Sequence, residues 1–148
     1  MTVICDTSAL LNAINTEEEQ HSASTAALSR HRDLVVSPLV LAELDYLAAK
    51  RVGSAALRPF FEDLKDGVYE VAVVTGATIA TARELDTQYA QLRLGLTDAV
   101  NIVLAHDYHT DQILTLDAHY RAVQPLTRHP AFRLLPADDV NTQSSDGA

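Results

Sequence analysis

Four acidic residues stand at the end of an apolar run or interrupt one, at places where carboxylates can act together: Asp6, Glu43, Asp98 and Asp117. Burying unpaired carboxylates is costly, so acids that converge in a fold take up protons or bind cations. Oxygen ligands without cysteine suit Mg²⁺ or Mn²⁺. Each acid taken alone is equally well explained as a helix cap or a solvated surface charge. The joint placement of the four acids is what favours a metal site.

The elements that carry these acids are predicted to bring three of them to one rim. Asp6 and Asp117 each end a short apolar run typical of a strand, and Asp98 lies in the first turn of a helix, where the helix dipole favours negative charge. In open α/β sheets, ligands bind beyond the carboxyl ends of the strands. Glu43 interrupts the apolar run SPLVLAELDYLAA, and an acid at such a position needs a partner.

The apolar pattern along the chain alternates between short strands and helices. Strands are predicted at residues 3–6, 34–36, 69–74, 113–116 and 132–135. Helices are predicted at 17–30, 38–51, 54–66 and 118–123, and after caps at Ser8, Thr75 and Thr97. Strands separated by helices indicate an α/β fold, a three-layer α/β/α domain with a central parallel sheet. We expect this domain over residues 1–138 and a disordered C-terminal tail over 139–148.

Composition limits the class of protein. The chain has 148 residues, a formal net charge of −9 and a single cysteine, Cys5, which excludes a disulfide framework or a cysteine-based zinc site within one chain. No secretory signal or membrane span is visible, so a cytoplasmic protein is expected. The negative charge opposes a polyanionic partner, because counterion release from phosphates needs Lys and Arg. That objection weakens if the acids bind a divalent cation, which reverses the local field.

The acidic segments also resemble a known family. The segment VICDTSALL, Glu43 in LVLAELDYL, Asp98 in LTDAVNIVLA and Asp117 in ILTLDAHY are similar, in order and spacing, to the four acidic motifs of PIN domains. The resemblance extends from residue 3 to about residue 135. It implies a PIN fold, a parallel sheet flanked by helices. It also implies a metal-dependent endoribonuclease that cleaves single-stranded RNA, as the VapC toxins of type II toxin–antitoxin systems do.

The resemblance assigns roles to particular residues. Matched by position, the catalytic and metal-binding quartet is Asp6, Glu43, Asp98 and Asp117. Thr7 or Ser8 matches the hydroxyl residue after the first Asp, and Thr115 matches the hydroxyl residue two places before the last. These three are expected to support the acids. The resemblance implies Mg²⁺ or Mn²⁺ as cofactor, attack by water, and products with 5′-phosphate and 3′-hydroxyl ends.

Partners are implied in the same way. A VapC-like enzyme is expected to have an RNA substrate, to form a homodimer and to be inhibited by a cognate VapB-type antitoxin. An apolar antitoxin surface is predicted on the helices that carry Leu39, Leu47, Leu57, Phe60 and Phe61, although an ordinary core explains these residues equally well. An antitoxin Arg that reaches the acids would compete with metal.

Two other functions remain open at this stage. A non-catalytic PIN-like module that binds RNA or protein is expected to lack one of the acids, and all four are present. A metal-dependent phosphatase with an aspartyl-phosphate intermediate needs a second Asp two places after the first, where this chain has Ser8.

Several other polar residues are given less weight. His106 and His109, one turn apart, are expected to be exposed rather than metal-binding, and His119 is expected to face solvent. Asn101 departs from the small apolar residue expected one turn after Asp98; it could bind a metal-bound water or lie on a mixed helix face, and the second interpretation is preferred. Candidate phosphate contacts are Arg83, Arg93 and Arg121, in preference to the pair at 50–51, whose charge suits a helix end.

Overall fold

The computed structural model of the chain describes residues 1–139, and five parallel strands form its centre. The strands are β1 (Thr2–Cys5), β2 (Asp33–Val36), β3 (Tyr69–Val71), β4 (Gln112–Leu114) and β5 (Arg133–Leu135). Their order across the sheet is β3-β2-β1-β4-β5. Asp139, the first residue of the predicted tail, ends a short 3₁₀ turn, Ala137–Asp139, and the rest of that tail lies outside the described residues.

Helices cover both faces of the sheet. Successive residues of a strand point to opposite faces, so each strand contributes side chains to both helical layers. They are α1 (Thr7–Ile14), α2 (His21–Arg30), α3 (Pro38–Arg51), α4 (Arg58–Lys65), α5 (Gly76–Gln88) and α6 (Gly95–Asp107). Ile4 and Ile113 pack with apolar residues of α5 and α6, whereas Val3 and Cys5 pack with α1, α3 and α4. Strands that are buried on both faces read as continuous apolar runs. The predicted three-layer α/β/α architecture with a parallel sheet is confirmed.

Local capping signals explain where two of the helices begin. Ser37 caps α3 by accepting a hydrogen bond from the Leu39 amide at 3.1 Å, with Pro38 at the first helical position. Thr75 and Thr78 form a reciprocal capping box at the start of α5. Both helix starts agree with the sequence prediction.

Other predicted boundaries were wrong in detail. Thr97 does not cap α6, which begins at Gly95, although Asp98 still lies in its first turn. Ser8 lies inside α1, and Asp6 takes the cap position with extended backbone and no side-chain capping bond. In both helices, residues before Ser8 or Thr97 already belong to the first helical turn. A capping preference alone does not identify the first helical residue.

Three predicted helices also differ from the structure. Part of the predicted helix at 54–66 is a 3₁₀ turn, Ser54–Leu57, and 118–123 contains only the 3₁₀ turn Ala118–Ala122. The helix predicted from residue 17 begins at His21, because Asn15 closes a turn by accepting a hydrogen bond from the Glu17 amide at 3.1 Å.

The strand order places a crevice at one end of the sheet. Along the chain, β2 pairs with β1 and β3 pairs with β2. The next strand, β4, then pairs with the other side of β1. Ligands of open α/β sheets bind at such a switch point, outside the carboxyl ends of the two strands. Asp6 follows β1 directly, and Asp117 lies three residues beyond β4. Both acids are therefore carried to this crevice.

The single cysteine lies inside the protein. Cys5 is fully buried, and burial raises the pKa of its thiol to about 12, so it acts as a core residue.

Over residues 1–139, no helix combines the length and the apolar character that a bilayer crossing requires.

Candidate active site

Asp6 lies at the base of the crevice, where β1 passes into α1. Its amide donates a hydrogen bond to the Leu114 carbonyl at 2.9 Å, which extends the pairing of β1 with β4 by one residue. Its side chain is 3% exposed. One carboxylate oxygen accepts from the Thr115 hydroxyl at 2.7 Å, and the other accepts from the Asn101 amide nitrogen at 3.1 Å. The carboxylate is therefore fixed in one orientation by two neutral donors.

A buried chain of hydrogen bonds connects Asp6 to Asp98. The Asn101 side-chain amide donates to Asp6 and also to the Tyr120 hydroxyl, 3.1 Å away in each case. The Tyr120 hydroxyl in turn donates to Asp98 at 3.1 Å. Asn101 and Tyr120 are both 0% exposed. The interpretation of Asn101 as part of a mixed helix face was wrong, because its side chain holds a site acid inside the protein.

The sequence contains one signal that points to Asn101 and little that points to Tyr120. Asn101 follows Asp98 by three positions, so both lie on the same face of α6. An amide on a helix face that is otherwise apolar needs a buried partner. Tyr120 gives no such signal, because it follows Asp117 in a short 3₁₀ turn whose direction is not set by local pattern.

Hydroxyl side chains connect the two strand ends. The Thr115 hydroxyl donates to Asp6 and accepts from the Asp117 amide at 3.0 Å. The Ser8 hydroxyl lies 3.2 Å from that of Thr115 and accepts from the Leu116 amide at 2.9 Å. Thr7 is buried, and its hydroxyl has no hydrogen-bond partner among the described residues. Thr115 and Ser8 thus hold the segment that carries Asp117 against the start of α1.

Asp117 and His119 form the outer part of the crevice. Asp117 caps the 3₁₀ turn by accepting from the His119 amide at 2.9 Å, and the His119 ring nitrogen Nδ1 lies 2.8 Å from the same carboxylate oxygen. One ligand atom from each of Asp98, Asp117 and His119 lies within 4.8 Å of the others. The His119 side chain is 53% exposed, as expected for a residue that faces solvent, yet it contacts a site acid.

Glu43 completes one common cleft of about 340 Å³. It is exposed on α3, six positions into the helix, and lines the cleft together with Asp6, Asp98 and Asp117. Thr7 and Ser8 line the same cleft, and Arg51 of α3 stands at its wall. The structure therefore brings all four predicted acids around one space, with Asp6 buried and Glu43 exposed.

Burial and mutual repulsion raise the pKa of the inner acids. Burial, together with the charges of Asp6 and Asp117, raises the pKa of Asp98 to about 7, and the Tyr120 hydrogen bond opposes the shift. Burial raises the pKa of Asp6 to about 6, against the opposing hydrogen bond from Thr115. Without a cation, the two acids are partly protonated near neutral pH.

The donor set fits a hard divalent cation. The cleft offers carboxylate and hydroxyl oxygens, including the unpartnered Thr7 hydroxyl, which is the ligand chemistry of Mg²⁺ and Mn²⁺. Within residues 1–139, no Lys or Arg forms a salt bridge with any of the four acids. A bound cation would supply the charge compensation that the protein itself does not.

The other cationic candidates lie elsewhere or are already paired. His106 contacts the neighbouring Asp107 and does not line the cleft. Arg83 pairs with Asp86 at 3.2 Å, and Arg121 pairs with Asp138. Arg51, which the sequence interpretation gave to a helix end, is the arginine that lines the cleft.

The fold and this acid site define a class of protein. A family model described as the PIN domain matches residues 3–125, and the chain therefore belongs to the PIN-domain family, as its motifs predicted. Ribonuclease VapC26 of Mycobacterium tuberculosis is 44% identical to this chain over 126 residues, which make up 84% of this chain and 93% of that protein.

Two crystal structures are similar to this fold. VapC20 of Mycobacterium tuberculosis, a toxin described as cleaving the sarcin–ricin loop, has a TM-score of 0.74 at 19% identity and covers 79% of this chain and 91% of that one. VapBC2 of Rickettsia felis, bound to a DNA fragment from its promoter, has a TM-score of 0.63 at 19% identity and covers 90% and 98%. At this identity, the two structures support the fold alone.

Proposed function

We propose that this chain is an endoribonuclease of the VapC toxin type, which cleaves single-stranded RNA at the acid cleft with Mg²⁺ or Mn²⁺ as cofactor. The observation that carries the proposal is the convergence of Asp6, Glu43, Asp98 and Asp117 on one cleft in a PIN-domain chain. The 44% identity to a protein named as a VapC ribonuclease supports the same activity. The acid convergence is also the reason to favour an enzyme over a non-catalytic binding module.

In this proposal each residue has a defined task. Asp6, Asp98 and Asp117 hold the cation, with Glu43 at the exposed side of the cleft. The bound ion supplies Lewis acidity toward water and toward the phosphodiester oxygens. Thr115 and Asn101 orient Asp6 by donating to its two oxygens. No side-chain nucleophile is needed, and attack by water would leave 5′-phosphate and 3′-hydroxyl ends.

The test is incubation of the purified protein with a mixed RNA pool in Mg²⁺, in Mn²⁺ and in excess EDTA, followed by mapping of the cut ends. Cleavage in either metal, loss of cleavage in EDTA and 5′-phosphate ends are expected. Undiminished cleavage in EDTA contradicts the metal role, and 2′,3′-cyclic phosphate ends contradict attack by water.

An inhibitory antitoxin is the second part of the proposal, and the structure changes where it is expected to bind. In the predicted apolar surface, Leu57 and Phe60 belong to the core, and Phe61 is 40% exposed. A groove of about 500 Å³ lies nearby, between α1, α2 and the α4 region. Its apolar lining includes Leu10, Ile14, Leu28, Phe60 and Val68. We therefore place the antitoxin contact at this groove rather than along the whole of α3.

Co-expression with the product of a small adjacent reading frame tests the antitoxin. Co-purification, and loss of RNase activity on recombination, are expected, with Leu28→Asp weakening both. A small protein that neither binds nor inhibits contradicts the toxin assignment but leaves the nuclease assignment intact. The proposed homodimer is checked by light scattering on the isolated chain.

A further inference from the structure

A second cavity, of about 400 Å³, adjoins the acid cleft on the far side of Asp117. Asp117 lines both spaces, and Thr115, which holds Asp6, lines the second. Six apolar residues form most of its wall: Ala23, Leu116, Ala118, Leu134, Pro136 and Ala137. A concave, largely apolar site with a few polar groups at its edge is the usual form of a small-ligand site.

The polar groups at its edge are Gln20 and Arg121, and Arg121 is held in place. Its two terminal nitrogens donate to the two oxygens of Asp138, at 3.0 and 3.3 Å. Asp138 also accepts a hydrogen bond from the Leu134 amide at 2.7 Å, and the Arg121 hydrogen bonds keep the pKa of its carboxyl below the usual value. Arg121 thus lines the cavity, and its two hydrogen bonds to Asp138 fix the plane of its guanidinium group.

We propose that this cavity receives one unstacked nucleobase of the RNA, from a nucleotide beside the scissile phosphate. The proposal rests on the proposed ribonuclease function and adds where that activity selects its sequence. Sequence-specific recognition of single-stranded RNA turns bases out of the stack, places them on aromatic rings or arginine planes, and reads their edges with hydrogen bonds. In this cavity the plane of Arg121 offers a stacking surface, and the amide of Gln20 offers hydrogen bonds to a base edge. The apolar wall covers the faces of a base that has left the stack.

Charge favours a base over a phosphate in this cavity. The positive charge of Arg121 is already paired with Asp138, and Asp117 adds a carboxylate to the wall. A phosphate group here would meet the Asp117 carboxylate, whose proposed cation lies on the acid-cleft side, and Arg121, the one cation among the described lining residues, is already paired. A neutral aromatic base meets no such penalty, and it covers the apolar wall.

Position adds a second argument. The cut occurs where the acids hold the cation, and Asp117 is the wall shared by the two spaces. A base in the cavity therefore belongs to a nucleotide adjacent to the scissile bond. Its recognition would fix the register of the RNA and select the cleavage position.

The first test is a substitution on α2 whose larger side chain fills the cavity. Ala23→Phe places a ring in the cavity, and Ala26→Phe, on the same helix but exposed and outside the lining, is the matched control. Each variant is incubated with an RNA pool randomised around the cut, and the ends are sequenced. A hydrogen bond from the Gln20 amide that one base can make and another cannot supports a preference of up to about tenfold. We expect Ala23→Phe to erase the preference at one position flanking the cut, and Ala26→Phe to keep it.

Arg121→Lys is a second variant, which keeps the charge and removes the plane, and it should weaken the same preference severalfold. The proposal is overturned if both cavity variants keep the parental preference, if Ala26→Phe loses it as well, or if the parent has no preference beside the cut. Thermal unfolding identifies a variant that fails to fold. If Ala23→Phe does not fold, Arg121→Lys decides the outcome.

A binding measurement separates this proposal from the ribonuclease function itself. In the Asp98→Asn background, the affinity for a labelled oligoribonucleotide in Mg²⁺ is compared with that for the same RNA carrying an abasic site beside the cut. Weaker binding of the abasic RNA, absent when Ala23→Phe is added, supports the base site. Equal affinities overturn it. A parent that never cuts RNA contradicts the ribonuclease function, and the abasic site is then moved through each position of the oligoribonucleotide so that the binding result still decides the fate of the base site.

Discussion

The inner and outer halves of the acid cleft are built differently. The inner half contains the buried Asp6 and a hydrogen-bonded chain through the buried Asn101 and Tyr120 to Asp98, which is itself half-buried. The outer half contains Glu43, Asp117 and His119, which are exposed or half-buried. Buried carboxylates carry a cost in stability that exposed ones avoid. Substitutions in the inner half should therefore change both folding and activity, whereas those in the outer half should change activity alone.

The largest expected effect is that of Asp98→Asn. The amide oxygen still accepts from Tyr120, but the residue no longer supplies a charge for the cation, so cleavage should fall by about a thousandfold or more. Metal-free protein should be equally or more stable, because repulsion among the acids is relieved. Single-turnover cleavage and chemical denaturation in EDTA measure the two effects. Parental cleavage by this variant removes Asp98 from the proposed site.

The second-largest effect is expected at Asn101, a residue of the inner hydrogen-bond network that does not line the cleft. Asn101→Leu removes the donor to Asp6 while keeping the volume of the side chain, and metal affinity or activity should fall by about 10- to 100-fold. Calorimetric titration with Mn²⁺ and cleavage assays measure this. Ile102→Val, one residue away in the core, is the control for packing and should leave Mn²⁺ affinity unchanged. Equal Mn²⁺ affinity in all three proteins contradicts a positioning role for Asn101.

The pH dependence of stability distinguishes the halves without a catalytic assay. The folded protein raises the pKa of Asp6 from 3.8 to about 6 and that of Asp98 from 3.8 to about 7. A raised carboxyl pKa means that stability is fully present below the unfolded value and is lost as the pH rises through the folded value. Metal-free protein should therefore lose several kcal/mol of unfolding free energy between about pH 4 and pH 8, because one pKa unit corresponds to about 1.4 kcal/mol.

Denaturation in EDTA across that pH range measures the loss. Asp98→Asn should flatten the profile, and saturating Mg²⁺ should restore stability at the alkaline end, because a ligand that binds only the folded state stabilises it. A metal-free profile that rises with pH over this interval contradicts the assignment of buried, mutually repelling acids.

The smallest effect is expected in the outer half. His119→Ala removes an exposed contact with Asp117, and exposed pairs contribute under about 1 kcal/mol, so cleavage should fall by no more than about threefold. The free energy of unfolding should change by less than about 0.5 kcal/mol. A loss of cleavage as large as that of Asp98→Asn would show that His119, like Asp117, belongs with the proposed metal-binding residues, and it would contradict the minor role given to this contact.

The sequence by itself determined the parts of this protein that depend on short-range pattern. Continuous apolar runs predicted the strands, because both faces of a parallel sheet are covered. Ser37 with Pro38 predicted the start of α3, because capping acts over three residues. Acids at the ends of two strands predicted one rim, because parallel strands end on the same side. These signals placed Asp6, Asp98 and Asp117 at one rim, whereas Glu43 was added to them through the resemblance to the PIN-domain motifs.

The family resemblance implied Thr115 and Ser8 as supports of the acids, but only the tertiary structure showed the buried supports Asn101 and Tyr120. Asn101 binds a carboxylate 95 positions away, and Tyr120 turns inward from a short 3₁₀ turn. The second cavity combines α2, the segment after β4 and the end of β5. Such contacts depend on strand order and on how the layers pack, which local periodicity does not encode. Hydrogen bonds between distant segments form only after the chain has brought them together, so no window of the sequence contains their signal.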